Sequence, residues 1–404
     1  MLFDLAEGGH HAGYIQHLVE YWCKQRLPGR LDIVVSPKLR QQCSDAANVA
    51  LNYGCNNINF VEISQAEVAV LSAKKNKISI FRAFQEWHLL GKYSTSLGST
   101  HCLLMYFDTI QLPIALGKKP PCPLSGIYFR PTFHYKNFAT YIPSWQDHLQ
   151  HRREKLLISR VLAHPQFEIL FCLDLFVVNH VELFPGQAKA LYLPDPVKIW
   201  DGGESKLEQL RADLGIESDR SVFLLFGELT ARKGIHQLLE AISLLPSELS
   251  QKLCLLLIGR IGPKARLQVE SRIAQLSQSS SVQIITQDQF IPDHKIQPYF
   301  YIADVVLAPY QRHIGMSGIL VRAAASQTPV LSSNYGLMGE ITRRYQLGLT
   351  VDSTRPEEIA KGITQFLIDS PTNYGDRAKM RSFAEQNSAD QFANVIFQHL
   401  LQQA

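Results

Sequence analysis

From Val222 onward, short runs of almost purely apolar residues alternate with stretches whose apolar residues recur every three or four positions. The runs are Val222–Phe226, Leu253–Ile258, Val282–Ile285, Val305–Ala308, Val330–Ser332 and Leu347–Val351. A strand with one wet face alternates apolar and polar residues, whereas a parallel strand covered by helices on both faces is apolar throughout. The intervening stretches suit such helices: Ile235, Leu238, Leu239, Ile242 and Leu245 form one stripe, and Ile359, Ile363, Phe366 and Leu367 another. This alternation predicts an α/β fold built on a doubly wound parallel sheet.

The first half repeats the theme, with strand candidates at Leu2–Leu5, Asp32–Ser36, Asn59–Ile63, Cys102–Phe107, Gly126–Arg130 and Phe176–Asn179. Ile15, Leu18, Val19 and Trp22 define an amphipathic helix opening just past Gly8 and Gly9. Turn chemistry in Leu193-Pro-Asp-Pro-Val197 and Asp201-Gly-Gly-Glu204 marks a boundary. The expectation is two Rossmann-like domains facing a cleft, residues 1–200 and 201–385. Residues 386–404 carry one more amphipathic helix, with Phe392, Val395, Ile396 and Leu400 on one face and no partner evident from sequence.

Composition narrows the function classes. A chain of 404 residues with 46% hydrophobic and 19% charged residues is neither disordered nor fibrous. A net charge of +4 over so large a surface implies no nucleic-acid partner. The seven cysteines include no C-x-x-C pair, which favours reduced thiols and a cytoplasmic setting. The start, Met1-Leu-Phe-Asp-Leu-Ala-Glu7, lacks the basic and apolar pattern of a signal peptide. The most apolar stretch, Phe167–Val178, is interrupted by Glu168 and Asp174, so no membrane span is expected. P-loop, zincin and Gly-x-Gly-x-x-Gly fingerprints are absent, as is any Asp-x-Asp pair, so no metal or other cofactor is expected.

Two stretches carry chemistry. Phe226-Gly-Glu-Leu-Thr-Ala-Arg-Lys-Gly234 lies between a buried strand and an amphipathic helix. Its glycines allow a tight turn, Arg232 and Lys233 bring positive charge, and the helix start adds free amides, a combination that suits a diphosphate. The second stretch, Asp304 to Val330, ends a buried strand at Pro309, passes through a glycine loop and offers Ser317 as N-cap of a helix reaching about Ser326. Ser317 is not a hydrolase nucleophile, because Ile319 stands where Gly-x-Ser-x-Gly requires glycine.

Together these stretches resemble the C-terminal domain of GT-B glycosyltransferases, in particular the retaining group called family 4. The resemblance rests on Phe226, Gly227, Leu229, Lys233 and Gly234, then on Ala303, Asp304, Pro309, Tyr310, Gly318 and Thr328-Pro-Val330. It implies transfer of a sugar from a nucleoside-diphosphate donor, a UDP- or GDP-sugar, to an acceptor hydroxyl with retention of configuration. Lys233 and Arg232 would hold the diphosphate with Ser317 and Gly318, while Arg260, Phe290, Ile291 and Arg322 would face the nucleoside. Glu340, after Gly336-Leu-Met-Gly339, would contact a sugar hydroxyl or cap the following helix. The chain also departs from the pattern. Ile314 and Arg322 replace the paired glutamates of the glycine loop, and Glu228 replaces a diphosphate-binding arginine. A non-catalytic nucleotide-sugar-binding or partner protein, and a nucleotide-sugar epimerase or hydrolase, are therefore the rival readings.

In the N-terminal half, the Gly8-Gly9 loop would approach the donor phosphate, with His10 and His11 beside it. Asp108, Arg130 and His134 follow strands whose ends should open into the crevice, and His134 and Asp108 are the catalytic candidates. The acceptor, a glycan, lipid or small molecule, is expected on this side. Residues His148 to His164 combine His151-Arg-Arg-Glu-Lys155 with Leu156, Leu157, Val161 and Leu162, a pattern for a helix packed on the sheet or resting peripherally on an anionic membrane.

Overall fold

A computed structural model describes residues 1–6, 11–73, 79–138, 141, 143–198, 200 and 202–401. The chain divides into two compact units, the first made of Met1–Lys136, Ile142–Pro196 and Ala389–Ala404, the second of Asn137–Tyr141 and Val197–Ser388. Both are Rossmann-like α/β units built on parallel sheets.

In the first unit the strands are β1 (Leu2–Asp4), β2 (Leu31–Val35), β3 (Ile58–Glu62), β4 (Cys102–Leu104), β5 (Leu124–Tyr128), β6 (Phe167–Cys172) and β7 (Lys189–Tyr192), in the order β3-β2-β1-β4-β5-β6-β7. Alternate residues feed opposite faces. Leu2, Ile33, Val35, Leu103 and Ile169 pack with Ile15, Leu18 and Trp22 of the His11–Lys24 helix. Phe3, Val34, Leu104 and Leu170 pack on the other side with Leu90, Ile114 and Ile158. The C-terminal helix Ala389–Leu401 belongs to this unit: Phe392, Ile396 and Phe397 join the first face, and Tyr21 donates to Asn394 at 2.7 Å.

One strand reading is corrected. Residues Phe176–Asn179 are not a strand; they lead into the short helix Val178–Val181, because the Asp174 carboxylate accepts from the Phe176 amide at 2.8 Å and caps the turn. The strand is the preceding run, β6, in which Glu168 at the rim interrupts an otherwise apolar sequence.

The second unit contains β8 (Ser221–Phe226), β9 (Leu253–Ile258), β10 (Gln283–Gln287), β11 (Val305–Ala308), β12 (Val330–Ser333) and β13 (Gly348–Val351), ordered β10-β9-β8-β11-β12-β13. Each sheet reverses its winding once, between β1 and β4 and between β8 and β11. Helices on opposite faces diverge there, so a crevice opens at the carboxyl ends of those strands.

Candidate functional site

The second unit's switch point is built by backbone constraints. Gly234 follows the turn Ala231–Lys233 at φ 78°, and a Cβ there would lie 2.1 Å from the Pro309 carbonyl oxygen. Glycine therefore lets the loop after β8 lie directly against the end of β11. Gln311 locks the approach, its amide donating to the Arg232 carbonyl at 2.9 Å and its side chain to the Ser353 carbonyl at 2.6 Å.

This closeness brings Lys233 to Tyr310. The Lys233 ammonium, on a residue only 6% exposed, donates to the Phe226 carbonyl at 3.0 Å and to the Tyr310 hydroxyl, and lies 4.4 Å from the Tyr310 ring centroid. The Tyr310 hydroxyl shares a 2.8 Å hydrogen bond with Ser317 Oγ, and Ser317 caps the helix Gly318–Ala325. Lys233 and Ser317 thus stand on one hydrogen-bonded path, with Tyr310 as its centre. In the sequence Tyr310 is legible as part of a motif but not in this role.

The electrostatics are unusual. No carboxylate pairs with Lys233 among the described residues; its charge meets a carbonyl, a hydroxyl and an aromatic ring. A cation taken out of water is costly unless compensated, and the adjoining helix start adds partial positive charge. An anion would relieve both. Arg232 is exposed, with its guanidinium 5.4 Å from the same ring centroid.

The nucleoside candidates gather at the ends of β9 and β10. The Arg260 guanidinium lies 5.7 Å from the Phe290 ring centroid, Phe290 is exposed and Ile291 is buried. Arg322 is ion-paired with Asp293. Glu340 does not cap its helix: Gly336–Arg344 starts after Tyr335, and Glu340, a turn further in, pairs with Arg343 at 3.2 Å. Gly336, at φ 58°, instead lets the helix start meet the glycine loop, where the Leu337 amide donates to the Ile314 carbonyl at 3.0 Å.

In the first unit a cavity of about 450 Å³ opens at its own switch point, lined by Asp4, Ser36, Leu71, Arg82, Glu86 and Tyr106 among others. Arg82 Nε donates to buried Glu86 at 2.7 Å, and Thr109 donates to the other carboxylate oxygen at 2.8 Å. Asp4 Oδ2 holds His11 Nδ1 at 2.7 Å, and the His11 ring stacks on Phe129 with centroids 5.9 Å apart. Arg82 and Glu86 sit one turn apart on the helix Ser79–Ser96, and only the fold brings Asp4 of β1 to the same cavity.

The two catalytic candidates occupy different surroundings. Half-buried Asp108 accepts from the Phe129 and Arg130 amides at 2.9 and 3.0 Å; burial pushes its carboxyl up to about 6 against the pull of those amides. His134 is enclosed, its Nε2 2.8 Å from Asp174 Oδ2 and its ring 4.5 Å from that of Tyr135. Gly8, Gly9 and His10 lie outside the described residues.

Two parallel-sheet Rossmann-like units, each with its crevice at a switch point, make up the GT-B class of glycosyltransferase fold. Residues 207–387, most of the second unit, match the family Glycosyl transferases group 1. The chain is 25% identical over 167 residues to the putative teichuronic acid biosynthesis glycosyltransferase TuaC of Bacillus subtilis, an overlap of 41% of this chain and 38% of that protein. It is 27% identical over 169 residues to the putative glycosyltransferase YtcC of the same organism, covering 41% of each. The aligned part therefore spans well under half the length of these relatives. Among solved structures, Anabaena HepE in complex with UDP superposes with a TM-score of 0.67 at 12% identity, covering 100% of this chain and 99% of that one, a likeness of fold.

Proposed function

We propose that the protein transfers a sugar from a nucleoside-diphosphate sugar to an acceptor hydroxyl, with retention of configuration and without a metal. The observation that carries this is the buried Lys233 ammonium, whose partners among the described residues are neutral and which is joined through Tyr310 to the Ser317 cap. As the glycosidic bond breaks, negative charge grows on the departing diphosphate. A cation already fixed in a low-dielectric site stabilises that charge without reorganising, and the amides opening the Gly318–Ala325 helix add to it. Arg232 reinforces the field from the surface. Arg260, Phe290, Ile291 and Arg322 form the nucleoside side, and Glu340, held by Arg343, reaches toward the sugar.

The acceptor occupies the first unit's cavity, where Asp4, Arg82 and Glu86 provide hydrogen-bonding groups suited to hydroxyls. Asp108 and His134 support this wall: Asp108 fixes the segment carrying Phe129, on which His11 stacks, and His134 anchors the next turn through Asp174.

A second reading, nucleotide binding without transfer, draws on Ile314 and Arg322 standing where the resemblance implies carboxylates, Arg322 being spent on Asp293. Calorimetric titration with UDP, GDP and ADP, followed by product analysis with the tightest donor, separates the two. Binding with acceptor-dependent turnover supports transfer, binding alone supports the second reading, and no binding by the folded protein overturns both.

A further inference from the structure

The helix Trp145–Leu162 in the first unit has an inner and an outer face of different character. Its inner face buries Ile158, Val161 and Leu162 in the core. Both of its acids are already spent. Asp147 closes a capping box with Ser144, and Glu154 turns inward to accept from Tyr128 and from the Thr132 amide at 2.8 Å.

The outer face is not simply polar. Trp145 is 73% exposed, Leu149 63% and Leu156 57%, so three large apolar side chains contribute nothing to the core. Arg152, Arg153 and Arg160 are exposed beside them. At 3.6 residues per turn these six positions fall within an arc of about 100°. None of the three arginines is held in an ion pair among the described residues. The Gln111–Ala115 helix packs alongside and ends in exposed Leu116, Lys118 and Lys119, the same mixture.

We propose that this face docks on an anionic lipid surface. Trp145, Leu149 and Leu156 would enter the interfacial layer, where an indole is well placed with its ring in hydrocarbon and its N–H among headgroups. Arg152, Arg153 and Arg160 would meet lipid phosphates. Charge selects this occupant: two copies of the helix would set arginines against arginines, and the arc carries no acid to relieve them. No described helix is long and apolar enough to cross a bilayer, so the attachment is peripheral and reversible. The proposal is independent of the nucleotide site.

The test is co-sedimentation of the full chain with phosphatidylcholine vesicles, alone or mixed with phosphatidylglycerol. The protein should partition onto the anionic vesicles and be released by high salt. Arg152→Glu with Arg153→Glu should weaken partitioning by about 10-fold or more. Trp145→Ala with Leu149→Ala should weaken it at unchanged charge, while nucleotide affinity stays the same. Equal partitioning onto neutral vesicles, no partitioning, or an undiminished arginine variant would overturn the proposal. So would a change in molecular mass by light scattering without a change in vesicle binding, which would make the face a contact between copies. If a variant fails to fold, the comparison of neutral with anionic vesicles and the salt release of the unaltered protein still decide.

Discussion

Replacing Lys233 by methionine separates a functional cation from a structural one. The methionine stem keeps most of the packing volume and removes only the ammonium. In the free protein that ammonium donates to the Phe226 carbonyl and the Tyr310 hydroxyl, but it is almost wholly withdrawn from water. Relief of its desolvation offsets part of the cost of leaving the Phe226 carbonyl without this donor, and the net loss of stability should be no more than about 1–3 kcal/mol. With nucleoside diphosphate bound, the substitution also removes a charge-assisted hydrogen bond worth about 1.5–3 kcal/mol. At 1.4 kcal/mol per decade this is a loss of about 10- to 150-fold in affinity. Calorimetry with the tightest-binding nucleotide, alongside urea unfolding, measures both quantities. Affinity within about twofold of the unaltered protein, in a folded variant, would refute the reasoning and make Lys233 a structural residue.

Three further outcomes follow from the same geometry. Gly234→Ala forces a Cβ to 2.1 Å from the Pro309 oxygen in a left-handed backbone, so it should destabilise the second unit by more than about 2 kcal/mol, read as a lowered unfolding midpoint. Asp108 holds its proton more tightly when folded, with its carboxyl at about 6 against an ordinary 3.8, so its contribution is complete below pH 3.8 and lost as the pH rises through 6. In Asp108→Asn, urea unfolding across that window should show a correspondingly flatter loss; an unchanged profile would contradict the assignment. Phe392→Ala opens the contact between the C-terminal helix and the first unit and should cost about 3–5 kcal/mol there. Its nucleotide affinity, measured by calorimetry below the transition, should be unchanged.

How much of this was legible in the sequence depended on range. The buried strands of the second unit were readable because each is apolar throughout, and Ser317 was readable as a cap because capping is a local interaction. Phe176–Asn179 misled because its apolar pattern outweighed one Asp174 hydrogen bond that turns the chain. Lys233 and Ser317 announced themselves by motif, but the Tyr310 hydroxyl that joins them needed Gly234 and Pro309 brought together from distant positions. Arg82 and Glu86 form a local pair one turn apart on the Ser79–Ser96 helix, but Asp4 comes from β1, so only the folded sheet reveals the cavity they share. The leucines of the Trp145–Leu162 helix divide, Leu162 inward and Leu149 and Leu156 outward, in a way set by the helix's rotation on the sheet.

The most direct test of the central claim is the release of nucleoside diphosphate from a panel of UDP- and GDP-sugars, followed over time with and without candidate glycan, lipid and small-molecule acceptors. The account predicts that one donor is consumed, that consumption accelerates with an acceptor and yields a glycosylated product, and that Lys233→Met suppresses both. Tight nucleotide binding with no consumption of any donor across the acceptor panel would contradict it and leave a binding protein on a glycosyltransferase fold.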